Sequence, residues 1–337
     1  MTWVLREGKP TDVPALLALF KELAIAQKFD VGVVKQQEED LLRDGFGDTK
    51  YYLFDVIEQK SDGDSANARP KLIGYCLYFL SYSSTGGRMM YIEDLYVNSE
   101  YRRTGIGKAM MKKVAKLANE LGCCKIGWSC LDDNTEALAF YGSIGGKAME
   151  QLTRIRIDRE GIRNIVSNFV QLSSEVNIRI GTQEDVQAVC CLIKKLTIEG
   201  GRDASSIKVS ENELIQDGFL EPKFFYLIIA ERTSENLLEK EVVGFSLYTF
   251  SYSTWEGPLI YFEDLYVKKT HRRKKIATGI MKKLAEFAQE HNCCRIAWNC
   301  PKDAVAALKF FEQFGVVRLP FWKKMYLDRP AIANLLS

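Results

Sequence analysis

Histidine is almost missing from this 337-residue chain: His271 and His291 are the only two, so the first 270 positions have none. The first half therefore lacks the commonest general acid and base. No stretch approaches the ~20 consecutive apolar residues that cross a bilayer. The opening MTWVLREGKP lacks the apolar core of a signal peptide, so a cytoplasmic protein with no membrane partner is expected. A net charge of only +2 predicts no bulk nucleic-acid partner. The nine cysteines show no Cys-x-x-Cys spacing, and vicinal pairs such as Cys123–Cys124 with an odd total suit no disulfide framework. Reduced, mostly buried thiols and no metal site are expected.

What the chain does have is repetition. Residues 90–107 read MYIEDLYVNSEYRRTGIG and residues 260–277 read IYFEDLYVKKTHRRKKIA, an offset of 170. The match runs on through MMKKVAKLA and IMKKLAEFA to CCKIGWSC and CCRIAWNC, which identifies a duplicated domain. The expected division is a first unit over 1–160, a connector over 161–176 and a second unit over 177–337, each long enough for its own core.

Within the first unit, TWVLREG predicts a strand, followed by a helix capped near Thr11–Asp12 with apolar Val13, Leu16, Leu17, Phe20 and Leu23. A second helical piece ends at Gly45. Strands YYLFDVIE and KLIGYCLYFLSYS flank the polar loop QKSDGDSANARPK, which reads as an exposed hairpin excursion. Strand RMMYIEDLYV, a Gly-bearing turn and a helix over 107–121 follow. Strand CCKIGWSC leads to a helix from Asn134, and RIRID is expected to close the unit. Strands interleaved with helices predict a mixed α/β sheet with helices on both faces.

The order strand, Arg102-Arg103-Thr104-Gly105-Ile106-Gly107, helix resembles the Arg/Gln-x-x-Gly-x-Gly/Ala signature of the GNAT acyl-CoA N-acetyltransferases. DLLRDGFG, YIEDLYV-x3-YRRTGIG and Asn134…Phe140-Tyr141 resemble, more narrowly, the diamine (spermidine/spermine) and thialysine acetyltransferases. The resemblance implies two tandem GNAT domains, each a mixed, mostly antiparallel twisted sheet flanked by helices. It also implies acetyl-CoA as co-substrate. Helix N-termini bind pyrophosphate through free amides, and glycines permit close backbone approach. Cofactor contacts are accordingly expected from Arg102, Arg103, Thr104, Gly105, Ile106, Gly107 and Lys108. By resemblance, Leu95, Tyr96 and Val97 pair with the pantetheine arm, and Asn134 helps hold it.

An alkyl ammonium must lose a proton before it attacks a thioester, and Glu93 is the candidate to orient it and take that proton, through a water. Strand alternation places Asp94 on the opposite face. Tyr141 matches the family tyrosine that protonates the departing thiolate. Gln27, Glu93, Gly127, Trp128, Ser129 and Glu150 are the matched acceptor-pocket candidates. Ser83 and Thr85 stand where relatives tend to have an acidic or serine residue and a tryptophan, which weakens the case for spermidine itself.

The second unit keeps Glu263, Asp264 and a family-like SYSTWEG, but Lys275, Ala304 and Phe311 replace Gly105, Asn134 and Tyr141. A catalytically weak or dead second copy is expected. The basic run 268–275 reads as a solvated turn. The function expected is direct acetyl transfer, in a ternary complex, to a primary amine of a small diamine, polyamine or thialysine-like molecule. Alternatives are acetylation of protein N-termini or lysines, and a non-catalytic CoA-binding scaffold. Because such relatives are homodimers, the duplication suggests either a dimer fused into one chain as an intrachain pseudo-dimer, or a homodimer.

Overall fold

In the computed structural model, which describes residues 2–60, 71–168, 170–234 and 237–337, the first unit begins with the expected strand and helix. Its elements are β1 (Trp3–Glu7), α1 (Val13–Ala26), α2 (Glu38–Phe46), β2 (Leu53–Gln59), β3 (Leu72–Ser83), β4 (Gly87–Val97) and α3 (Ile106–Glu120). They continue with β5 (Lys125–Leu131), α4 (Thr135–Ser143), β6 (Lys147–Ala148), β7 (Leu152–Asp158) and α5 (Arg159–Ser167). The second unit supplies β8 (Val176–Ile180), α6 (Val186–Glu199), α7 (Glu211–Phe219), β9 (Tyr226–Ser234), β10 (Leu237–Ser253), β11 (Gly257–Val267) and α8 (Ile276–Glu290). It ends with β12 (Arg295–Pro301), α9 (Val305–Glu312), β13 (Val317–Leu319), β14 (Trp322–Asp328) and α10 (Arg329–Leu336). Most of the predicted hairpin excursion, residues 61–70, lies outside the described residues. No helix among the described residues is long and apolar enough to cross a membrane.

Two seven-stranded sheets result, ordered β1-β2-β3-β4-β5-β14-β6 and β13-β7-β12-β11-β10-β9-β8. Each is antiparallel except for one central parallel pair, β4 with β5 and β11 with β12. The order corrects one expectation. RIRID does not close its own unit: β7 pairs along its length with β12 of the second unit, while β14 pairs with β5 of the first. Each unit has given its last strand to the other.

The exchange is held by burial. Ile155 and Ile157 of β7, with Ile162 and Ile165 of α5, join the second core beside Ile280, Leu284 and Ile296. Reciprocally, Met325 and Leu327 of β14, with Ile332 and Leu335 of α10, join the first core beside Met110, Val114 and Ile126. Four buried aliphatic side chains in each direction correspond to a gross stabilisation on the order of 6–12 kcal/mol per exchanged arm, before ordering entropy.

Both β3–β4 and β10–β11 carry an irregularity at the same place. Leu77 opposes Asp94 while Tyr78 opposes Ile92, so Glu93 is the extra residue of a bulge. Glu263 occupies the same position in β11. A bulge interrupts strict side-chain alternation. The two hairpin tips also cross: the tip between β10 and β11 reaches the first unit, where Lys35 N donates to Trp255 O at 2.6 Å and Tyr252 Oη donates to Gln36 Oε1 at 2.9 Å. The tip between β3 and β4 reaches the second unit, where Lys208 N donates to Thr85 O at 2.7 Å and Arg88 pairs with Asp217 at 2.7 Å.

Candidate active site

Parallel pairing of β4 and β5 stops after Ile92 and Trp128, so beyond that point the two strands splay. The edge of β4 from Glu93 to Val97 then has no strand partner on that side among the described residues, which leaves backbone donors and acceptors for an extended ligand. A cleft of about 1000 Å³ occupies the gap, lined by Glu93–Val97, by Trp128–Leu131 and by the start of α3. Gly105 is the N-cap of α3 with φ +87°, a left-handed conformation that glycine adopts without strain. The first bond of the helix runs from Ala109 N to Gly105 O at 3.0 Å, leaving the amides of Ile106, Gly107 and Lys108 outside the ladder. Such an end favours phosphate. Arg102 and Arg103 also line the cleft. Thr104 does not line it, and its hydroxyl donates to Tyr101 O at 2.7 Å.

Farther along, Asn134 caps α4, its Oδ1 accepting from Ala137 N at 3.1 Å, and it borders the cleft. Tyr141 packs at a tilt beside Trp128, ring centroids 4.8 Å apart, and borders the cleft. Burial pushes its pKa well up, so the phenol is a neutral donor at ordinary pH.

A second cavity of about 550 Å³ adjoins the first. Gln27, Glu93, Asp94, Ser129 and Trp322 line both, so the two spaces adjoin around Glu93 and these neighbours. Its walls come from both units: Phe29, Asp30 and Lys35 from the first, Thr254, Trp255, Glu256, Arg295 and Phe321 from the second. Arg154 and Arg156 complete it from the exchanged strand β7. Trp255 packs edge-on against Phe29 at 4.9 Å, and Thr254 Oγ1 donates to Asp94 Oδ2 at 2.6 Å.

Burial raises the pKa of Glu93 to about 7; Arg154 and Arg295 pull it down, while Asp94 pushes it up. Asp94 is also raised by burial, against the hydrogen bonds from Thr254 and Tyr75. The expectation that Asp94 turns away from Glu93 does not hold, because the bulge lets both border the same cavities. Two other candidates lie elsewhere. Glu150 is exposed and pairs with Lys323 at 3.4 Å. Gly127 faces Tyr91 and Met89, where a Cβ would come 3.4 Å from the Tyr91 ring, and it borders neither cavity. Gln27, Trp128 and Ser129 do line the site, and Gln27 Oε1 is buried without a partner.

Sequence reasoning missed Thr254, Trp255, Glu256, Arg154, Arg156, Arg295 and Trp322. The available signal was the family-like SYSTWEG sitting in the unit that had lost its other motifs.

In the second unit, Lys275 takes the same left-handed turn with φ +59°, at a cost of about 1–2 kcal/mol for a residue with a Cβ. Ala304 caps α9 without a side-chain hydrogen bond. Phe311 packs on Trp298 at 4.6 Å, in the place that Tyr141 takes beside Trp128.

The model of the acetyltransferase (GNAT) family matches residues 26–146 and again residues 201–316. The chain belongs to the GNAT family. It is 39% identical over 148 residues to a thialysine N-epsilon-acetyltransferase of Bos taurus, a match spanning 44% of this chain and 86% of that relative. Identity is 34% over 166 residues with the Sus scrofa enzyme of the same name, 48% of this chain and 96% of that one. A GCN5-related N-acetyltransferase from Sphaerobacter thermophilus shares the fold at TM-score 0.55 and 14% identity, covering 97% of this chain and 95% of that structure. This tandem GNAT protein is an acyltransferase of the N-acetyltransferase kind, acting on an amine.

Proposed function

We propose that this GNAT protein transfers acetyl from acetyl-CoA to the primary amine of a small diamine, polyamine or thialysine-like molecule, at one site in the first unit completed by the second. The meeting of the two cavities at Glu93 carries this reading. One cavity has an open strand edge and a helix N-terminus suited to a pantetheine and pyrophosphate. The other gives an amine access to the same carboxylate.

Glu93, its pKa raised by burial to about 7, is a stronger base than an ordinary carboxylate and is placed to accept a proton through a water. The amine lone pair then attacks the thioester carbonyl. The N–C bond forms, the C–S bond breaks, and the Tyr141 hydroxyl gives its proton to the sulfur as the electron pair arrives there, while the attacking nitrogen sheds its second proton through water to restore the phenol. Transfer is direct. The cysteine that lines the cleft, Cys130, has its thiol pushed up to about 11 by burial, and no histidine is available to activate it. In the second unit Phe311 has no proton to give, Ala304 no side-chain amide and Lys275 a strained turn, so that copy serves as the partner wall.

Thiol release from acetyl-CoA across a panel of amines tests the reading. The wild type turns over, Tyr141→Phe loses roughly hundredfold in kcat, and Phe311→Tyr gains nothing. Release of no thiol with any amine, or a full rate in Tyr141→Phe, overturns it.

A further inference from the structure

The wall of the acceptor cavity built from β7 and β12 carries an excess of fixed positive charge. Arg154 and Arg156 lie two residues apart on β7, so they share a face. Arg156 opposes Ala297, and Arg295 opposes Asp158, in the same antiparallel pair, which puts Arg295 on that face as well. All three line the cavity.

Their partners do not neutralise them. Arg295 is 7% exposed; one terminal nitrogen lies 3.1 Å from Glu256, and its Nε is buried without a partner. Arg156 Nε is likewise buried and unpartnered, and no carboxylate among the described residues comes within ion-pair distance of Arg154 or Arg156. Arg154 lies over the Trp322 ring at 5.8 Å. The carboxylates bordering the same cavity are otherwise engaged or raised. Asp94 accepts from Tyr75 and Thr254, Asp30 accepts from Gly32 N, and burial raises the pKa of both Glu93 and Asp94. Burial, and then the neighbouring Arg295, pulls the pKa of Arg156 down. Buried guanidinium donors left open in a cavity are satisfied by an oxyanion, which accepts two parallel N–H bonds from each fork.

The counterparts across the duplication are Lys324, Tyr326 and Lys125, so the three-arginine face exists once. It borders the cavity that meets the Glu93 carboxylate.

We infer that Arg154, Arg156 and Arg295 form an oxyanion subsite, and that the preferred acceptor carries a carboxylate or phosphate besides its amine. This rests on the acetyl-transfer reading above. The amine lies at Glu93 and the anion on the arginine face. A polyamine would instead set its second ammonium against three guanidiniums. Wide substrate panels do not isolate this feature; matched pairs do.

The test compares kcat/KM for lysine with cadaverine, ornithine with putrescine, and glucosamine 6-phosphate with glucosamine, in wild type and Arg156→Gln. In each pair the members differ mainly in the anion, and the pairs separate carboxylate from phosphate as its source. At least one anionic member is expected to exceed its partner by about tenfold or more, with that ratio falling to within about threefold of unity in Arg156→Gln. Arg154→Gln gives the same collapse should Arg156→Gln fail to fold. Turnover in which no anionic member is favoured, or a ratio unchanged in a folded variant, overturns the subsite alone. No thiol release with any of the six amines overturns the acetyl-transfer reading beneath it.

Discussion

Glu93 stands between opposing influences. Burial and Asp94 raise its pKa to about 7, while Arg154 and Arg295 oppose the rise. A base with that pKa gives a definite sign to the pH dependence. Below pH 7 the carboxyl is protonated and cannot accept a proton, so kcat/KM falls roughly tenfold per unit on the acid side. Above it the activity levels off until the donor side titrates. Glu93→Gln is expected to lower the plateau and remove the acid limb. A wild-type profile flat from pH 5.5 to 8 would sink the assignment. The bulge that exposes this residue was not legible in the sequence, because period-two alternation sends Glu93 and Asp94 to opposite faces. Only the register against Leu77 and Tyr78 reveals the extra residue. The left-handed turn at Gly105 was legible, since a strand–turn–helix with Gly at that position imposes its own geometry, whereas Tyr141 was singled out only through the family resemblance.

At the scale of elements, the donated arms decide which half each residue supports. Leu327 belongs to the second unit by sequence but is fully buried in the first core. Leu327→Ala is expected to lower stability by about 2–5 kcal/mol, read by urea unfolding, and to raise the KM for acetyl-CoA at a cleft whose lining includes only one residue of β14. A loss under ~1 kcal/mol would show that β14 does not hold the first sheet. Sequence specified that RIRID and WKKMYLD are strands with a polar and an apolar face. It could not specify the neighbouring strand, because the two copies present near-identical edges and either sheet satisfies the same alternation. The same ambiguity misdirected the hairpin tips: Thr85 looked like a loss in the first unit's own pocket, yet it serves the second.

At the scale of the whole molecule, the losses in the two copies are complementary. The first unit keeps Gly105, Asn134 and Tyr141, the residues proposed to serve the acetyl donor, and lacks the tryptophan at its own tip. The second keeps that tryptophan and lacks Gly, Asn and Tyr at the donor positions. Crossed tips bring the proposed donor cleft of the first unit and the Trp255 tip of the second to one place, so the two altered sets fall together at the other. Steady-state kinetics of Trp255→Ala beside Thr85→Ala test this composite site most directly. The account predicts that Trp255→Ala lowers kcat/KM for the amine by at least about tenfold with the acetyl-CoA KM within about twofold, and that Thr85→Ala changes neither. An unchanged Trp255→Ala enzyme, or a loss confined to Thr85→Ala, would contradict it.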